Sequence, residues 1–234
     1  MQRVPTGIPG LDQLIEGGLL EGSSTLVAGG AGCGKTIFAM QYIYKGAEQY
    51  RDPGVYITIE EGPKNIWWNM TSFKWNIAKY QKDNLIKIYR MNLKDPKTFV
   101  QDFETEIGRI KDMVNEINAK RLVIDSTTSF AIFMSTQADI RYNLFKLVDE
   151  TKKMNVTTVL TSETTGERNA FSRFGVEDFI TDGVIALYFK PPMRALLVKK
   201  MRGTSHDLKP HPLTIGPNGI EVNPTEQILW DSLK

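Results

Sequence analysis

Residues 29–36 read GGAGCGKT and fit the spacing G-x-x-x-x-G-K-[ST]. Glycines at such positions let successive backbone N–H groups turn inward around a phosphate. Gly30, Ala31, Gly32, Cys33, Gly34, Lys35, Thr36 and Ile37 are therefore the expected nucleotide contacts. Lys35 would reach the β- and γ-oxygens, and the Thr36 hydroxyl would ligate Mg²⁺. Phosphoryl transfer also needs a second anchor for the metal and a group that orients the attacking water. Asp125, closing RLVID, suits the anchor; Glu60 and Glu61, closing VYITIEE, suit the second task. Neighbouring side chains on a strand point to opposite faces, so one glutamate is expected as base and the other as its modulator or as a pairing group elsewhere. The lone Cys33 is expected to contribute its amide, with an incidental thiol. A second cluster, KMRGTSHD at 200–207, ends an apolar run far along the chain. Read alone, it is a basic edge that blunts strand-to-strand aggregation.

The elements around these groups alternate. STLVAG (24–29), GVYITIE (54–60), LIKIYR (85–90), RLVID (121–125) and VTTVLTS (156–162) read as strands. Helical patterns fall between them: Thr36 to Tyr50, a helix from Pro63 with Ile66, Met70 and Phe73 on one face, one carrying Phe99, Phe103, Ile107, Ile110 and Ile117, and 136–153. Such alternation predicts an α/β fold, mainly parallel, with helices on both faces. Beyond Gly183, GVIALYF, RALLVKK, PLTIG and GIEV are short strands joined by KPPM and GPNG turns, expected as an antiparallel extension of the same sheet. With no linker or repeat, residues 1–234 read as one domain, with a lead-in helix at about 8–18 and a tail at 223–234. Trp68 is expected at the margin of its helix, where an interface would use it, and Trp75 is expected to pack.

Lys plus Arg number 29 against 27 Asp plus Glu, a net charge of +2, so no polyanionic partner is demanded. One cysteine excludes an internal disulfide framework and suits a reducing compartment. No apolar h-region opens the sequence and no run approaches a membrane span, so a cytoplasmic protein without a membrane partner is expected.

The P-loop, the paired glutamates and IDS (124–126) together resemble a KaiC domain of the RecA/DnaB superfamily. TGIPGLDQLIEGGL (6–19), SFKW (72–75), RFGVEDFITDGVI (173–185) and KMRGTSHDLKPHPLTI (200–215) extend the likeness over about residues 4 to 222. In particular the chain resembles stand-alone archaeal KaiC-like proteins. The resemblance implies a RecA-like P-loop NTPase core, ATP and Mg²⁺ as ligands, and hydrolysis at sites shared between subunits of a homo-oligomer, expected to be a hexamer with a regulatory or signalling role. It implies that Lys200 and Arg202 reach the triphosphate held by the neighbouring subunit. Residues two apart on a strand share a face, so both can aim at one phosphate. Met201, Thr204, His206 and Ser72 match further nucleotide-contacting positions. Departures limit the analogy. One domain stands where the clock members have two, and Asp178 and Phe179 replace the Ser/Thr pair that a clock domain phosphorylates on itself, so an autokinase is not expected.

Two other readings stay open at this stage. A RadA-like recombinase paralogue would bind single-stranded DNA, with Arg168 and Arg173 interleaved with Phe171 and Phe174 in a loop facing the assembly axis. The short loop and near-neutral charge make nucleic acid the less favoured partner. An interaction module would use ATP to set assembly with a protein partner, with slow turnover. No N-K-x-D or LSGGQ-like segment occurs, which disfavours GTP and an ABC-type ATPase.

Overall fold

The computed structural model describes residues 2–134, 136–164 and 173–229. Two short strands, β1 (Arg3–Val4) and β2 (Leu19–Leu20), pair as a hairpin around the single-turn helix α1 (Leu11–Leu14). The lead-in helix expected over 8–18 is thus one turn only. Glu16, Gly17 and Gly18 all take positive φ, which ends it, and the Gly18 backbone lies so close to Val4 that a Cβ there would collide with the Val4 carbonyl.

Nine strands form the main sheet. In chain order they are β3 (Ser24–Gly29), β4 (Gly54–Thr58), β5 (Ile86–Arg90), β6 (Arg121–Asp125), β7 (Thr157–Glu163), β8 (Gly183–Lys190), β9 (Met193–Met201), β10 (His211–Gly216) and β11 (Gly219–Val222). The spatial order is β11-β10-β9-β8-β3-β7-β6-β4-β5. From β8 to β5 every pairing is parallel, and from β8 outward to β11 every pairing is antiparallel. This is the α/β architecture with an antiparallel extension that the alternating pattern predicts.

Side chains alternate along each strand between two cores. Val27, Tyr56, Val123, Val159 and Ile185 face α1, α2 (Lys35–Lys45), α3 (Pro63–Met70) and α4 (Ile77–Lys82). Leu26, Val55, Ile57, Leu122, Ile124 and Leu160 face α5 (Phe99–Glu116) and α6 (Gln137–Lys153). The helix expected through Tyr50 changes character at Gly46, where a π-helical turn, Gly46–Tyr50, takes over. A Cβ at Gly46 would lie 2.3 Å from the Arg121 guanidinium nitrogen Nε, so glycine is what lets that buried arginine pass. α4 and the last short helix, α7 (Glu177–Ile180), have six and four residues, too few to show a helical period in sequence.

Candidate functional site

The P-loop leaves the carboxyl end of β3 and runs into the first turn of α2, where backbone amides and the helix dipole favour an anion. Gly32 (φ +74°) and Gly34 (φ +99°) are both left-handed, and a Cβ on Gly34 would stand 3.0 Å from Ile215. At Gly29 an added Cβ would sit 2.6 Å from the Leu187 carbonyl. The motif glycines therefore answer both to conformation and to close approach by β8 and β10. Lys35 Nζ donates to the carbonyls of Gly29 and Gly30, both at 2.9 Å, which holds its charge in the mouth of the loop. Gly32, Gly34, Lys35, Thr36 and Ile37 line a cavity of about 530 Å³, closed by Asn69 and Met70 of α3, Arg194 and Ile215. The Cys33 side chain is buried, and that burial pushes its thiol pKa up despite Lys35 nearby. This is an inert thiol rather than a reactive one.

Asp125 ends β6, two strands from the P-loop strand, with β7 between them. Its carboxylate accepts from Tyr56 Oη at 2.5 Å and from Thr161 Oγ1, which fixes it from both flanking strands. Burial, and then the Asp125 charge, hold the Tyr56 phenol well above its usual pKa, so it stays a donor. The two glutamates part as neighbouring residues at a strand end should. Glu60 Oε1 accepts from Ser129 Oγ at 2.7 Å, on the 3₁₀ turn that follows β6. Glu60 also lines a separate polar cleft with Tyr89, Arg90 and Arg109. Glu61 Oε2 instead accepts from Asn69 Nδ2 at 2.9 Å, and Asn69 lines the P-loop cavity.

The 200–206 cluster lies elsewhere. Thr25 aligns with Gly183, and Gly183 with Met201; Gly29 aligns with Leu187, and Leu187 with Leu196. The P-loop thus stands where β3 ends, and Lys200 and Arg202 stand where β3 begins, about 13 Å of strand away at the usual rise. In their own chain they are on the wrong edge of the sheet to meet the P-loop.

The cluster also differs in detail from a shared strand face. A bulge at Lys199 puts Val184 opposite Lys200 and Ile185 opposite Val198, and β9 stops at Met201. Lys200 Nζ turns to the carbonyls of Asp178 (2.9 Å) and Thr181 (2.7 Å) at the end of α7. Burial, and then the like charge of Arg202, lower its pKa. Arg202 sits in the following turn, largely exposed, 3.3 Å from Asp182 Oδ1. The two cations are neighbours but diverge. Met201 is buried against Gly183, so only its backbone can meet a ligand. Thr204 Oγ1 accepts from Arg3 Nη1 at 3.0 Å, and His206 Nδ1 lies 3.2 Å from the Thr204 carbonyl, with Nε2 buried and without a partner among the described residues. Ser72 is exposed on the turn after α3; Asn69 and Met70, not Ser72, line the P-loop cavity.

Arg194 and Asn69 were not singled out by sequence reading. Arg194 pairs with Phe189 across the β8–β9 hairpin, stacks on its ring at 4.1 Å and donates to the Gly32 carbonyl at 3.3 Å. The hairpin register could have pointed to it, since the β8–β9 turn lies at the P-loop edge. Of the loop proposed to track single strands, Arg168 and Phe171 lie outside the described residues. Among those described, no helix is long and apolar enough to cross a membrane.

Comparison with known proteins places this geometry. A protein-family model described as the KaiC ATPase matches residues 4–227. The chain is 35% identical over 233 residues to the circadian clock oscillator protein KaiC of Prochlorococcus marinus, covering 96% of this chain and 46% of that protein. It thus spans about half the length of the clock relatives it matches. It is 34% identical to the UPF0273 protein MK0039 of Methanopyrus kandleri, covering 96% of this chain and 93% of that one. The solved KaiC-like protein PH0186 of Pyrococcus horikoshii is similar in structure, with a TM-score of 0.85 and 44% identity over 95% of this chain and 99% of that one.

Proposed function

The chain belongs to the KaiC family of ATPases, and on that premise we propose that it is a Mg²⁺-dependent ATPase acting at sites shared between copies. It works as a single domain in a cytoplasmic homo-oligomer, a hexameric ring, in a regulatory or signalling role. One observation carries the reading: the P-loop and the Lys200–Arg202 cluster lie on opposite edges of one sheet. Head-to-tail contact between copies is the arrangement that brings such edges together, and rings are its closed form.

The donor set fits the ligands. The P-loop amides and Lys35 would hold the β- and γ-phosphates, and Thr36 with Asp125 would hold Mg²⁺, which when bound neutralises charge on the phosphate oxygens. Tyr56 and Thr161 keep the Asp125 carboxylate oriented for that task. Glu61, on the cavity side through Asn69, is the water-orienting base, and Glu60 braces the turn after β6 through Ser129. Glu61→Gln should therefore lose about 10²-fold or more in turnover, the scale of general-base catalysis. Glu60→Gln should lose clearly less; phosphate release by each variant decides, and the reverse order would exchange the roles.

The shared site itself is tested by dilution. Native mass should rise on adding Mg·ATP, and turnover per copy should fall as the protein is diluted below the concentration at which it assembles. Full turnover from a monomer would end the proposal.

A further inference from the structure

Among the described residues, four aromatic side chains are more than half exposed, and they fall on two surfaces. Trp68, 75% exposed, projects from α3, whose other face buries Ile66 and Met70. Tyr142 and Phe145 on α6 and Phe179 on α7 are 65%, 58% and 68% exposed. These three line one groove of about 660 Å³. A contiguous apolar patch of this kind marks an interaction surface.

Each surface is tied to one half of the proposed site. Arg202 forms part of the groove wall. Asn69, the residue after Trp68, lines the P-loop cavity. When Arg202 of one copy enters the cavity of the next, the groove beside Arg202 must come against the rim beside Asn69. That rim carries Glu61, which accepts from Asn69 beside Trp68, whereas the groove is edged by Arg141, Lys152 and Arg202. The charges are complementary, and an indole near guanidinium groups gains cation–π attraction.

We propose that Trp68 of each copy seats in the Tyr142–Phe145–Phe179 groove of the neighbouring copy, and that this contact registers Arg202 on the neighbour's triphosphate. The inference rests on the shared-site reading above and adds the residues that align it. Trp68 acts here as a positioning residue, because it stands outside the lining of the P-loop cavity.

Cross-linking tests it. Copies carrying Trp68→Cys and copies carrying Phe145→Cys are mixed with Mg·ATP and treated with a short bismaleimide; Cys33 is buried and should stay unreactive. A covalent dimer is expected from the mixture and from neither variant alone, because the contact is head-to-tail. Trp68→Ala should raise the concentration needed for assembly by about thirty-fold, the scale of an aromatic hot spot, with Trp68→Phe restoring most of it. Its turnover per copy should recover at high protein concentration, which a folding defect would not allow. If wild type assembles and shows concentration-dependent turnover, but the mixture gives no cross-link and Trp68→Ala assembles normally, the seat is overturned and the shared site stands. If wild type stays monomeric with Mg·ATP, both fall.

Discussion

Arg202→Ala should cut ATP turnover by about 10³-fold or more while leaving nucleotide affinity within a few-fold. An arginine supplied in trans acts on charge that develops in the transition state, and its removal costs 10³ to 10⁵ in comparable phosphoryl-transfer enzymes. Ground-state binding belongs to the P-loop on the opposite edge, which the substitution does not touch. Little stability is at stake, because the guanidinium is 57% exposed and its ion pair to Asp182 is 3.3 Å long. Complementation gives the sharper reading. Arg202→Ala copies keep an intact P-loop, and Glu61→Gln copies keep an intact Arg202. Each alone should keep no more than about a hundredth of wild-type turnover. In an equal random mixture about a quarter of the interfaces join a working pocket to a working arginine, so about a quarter of wild-type turnover should return. A mixture no more active than its two components would mean that each pocket is complete within its own chain.

How much of this was legible in sequence depended on how local the cause was. The strands Ser24–Gly29 and Arg121–Asp125 fall where their apolar runs place them, since a strand buried on both faces writes itself as a continuous hydrophobic segment. Gly29, Gly32 and Gly34 were readable because each answers to its own φ or to a close neighbour. What escaped was set by partners distant in the chain. Nothing in KMRGTSHD shows that a bulge at Lys199 and the carbonyls of α7 will turn Lys200 away from Arg202. Nothing in EEGPKN shows that Asn69 will draw Glu61 to the cavity while Ser129, 69 residues on, draws Glu60 aside. The division of the site between two edges is topological: it follows from β8 running parallel to β3 and β9 antiparallel to β8, once the register is known. Trp75 was expected to pack, and it stacks on Tyr44 and Phe73, held by loop contacts beyond any helical period.

The largest stability effect is expected at Arg121, a charge taken wholly out of water at the start of the strand that ends in Asp125. Its side chain is 0% exposed. Nε and Nη2 bind Asp52 Oδ2 at 3.1 and 2.8 Å, and Nη1 donates to the carbonyls of Pro5 (2.8 Å) and Tyr42 (3.2 Å). The guanidinium also lies 4.8 Å from the Tyr42 ring centre and 5.4 Å from that of Tyr50. One planar group therefore ties the N-terminal segment, α2, the π-helical turn and β6 together. Arg121→Ala would leave a cavity, the Pro5 carbonyl without its donor, the Tyr42 carbonyl with the Gly46 amide alone, and an unpaired, only partly exposed carboxylate. Breaking a buried pair in this way costs about 3–5 kcal/mol. The low end applies, since Asp52 retains 28% exposure and some water. About 3 kcal/mol should lower Tm by roughly 6–12 °C in a chain of this size. Arg121→Lys should recover only part of it, because an ammonium keeps the charge but cannot span Asp52 and both carbonyls in one plane. Thermal unfolding followed by circular dichroism reads the loss, and a transition within a degree or two of wild type would show the network to be dispensable. Because Arg121 sits at the edge of the sheet away from the P-loop, Arg121→Ala protein held well below its transition should still turn over ATP at close to the wild-type rate. That separation distinguishes it from Arg202→Ala, which should cost the chemistry and leave Tm nearly unchanged.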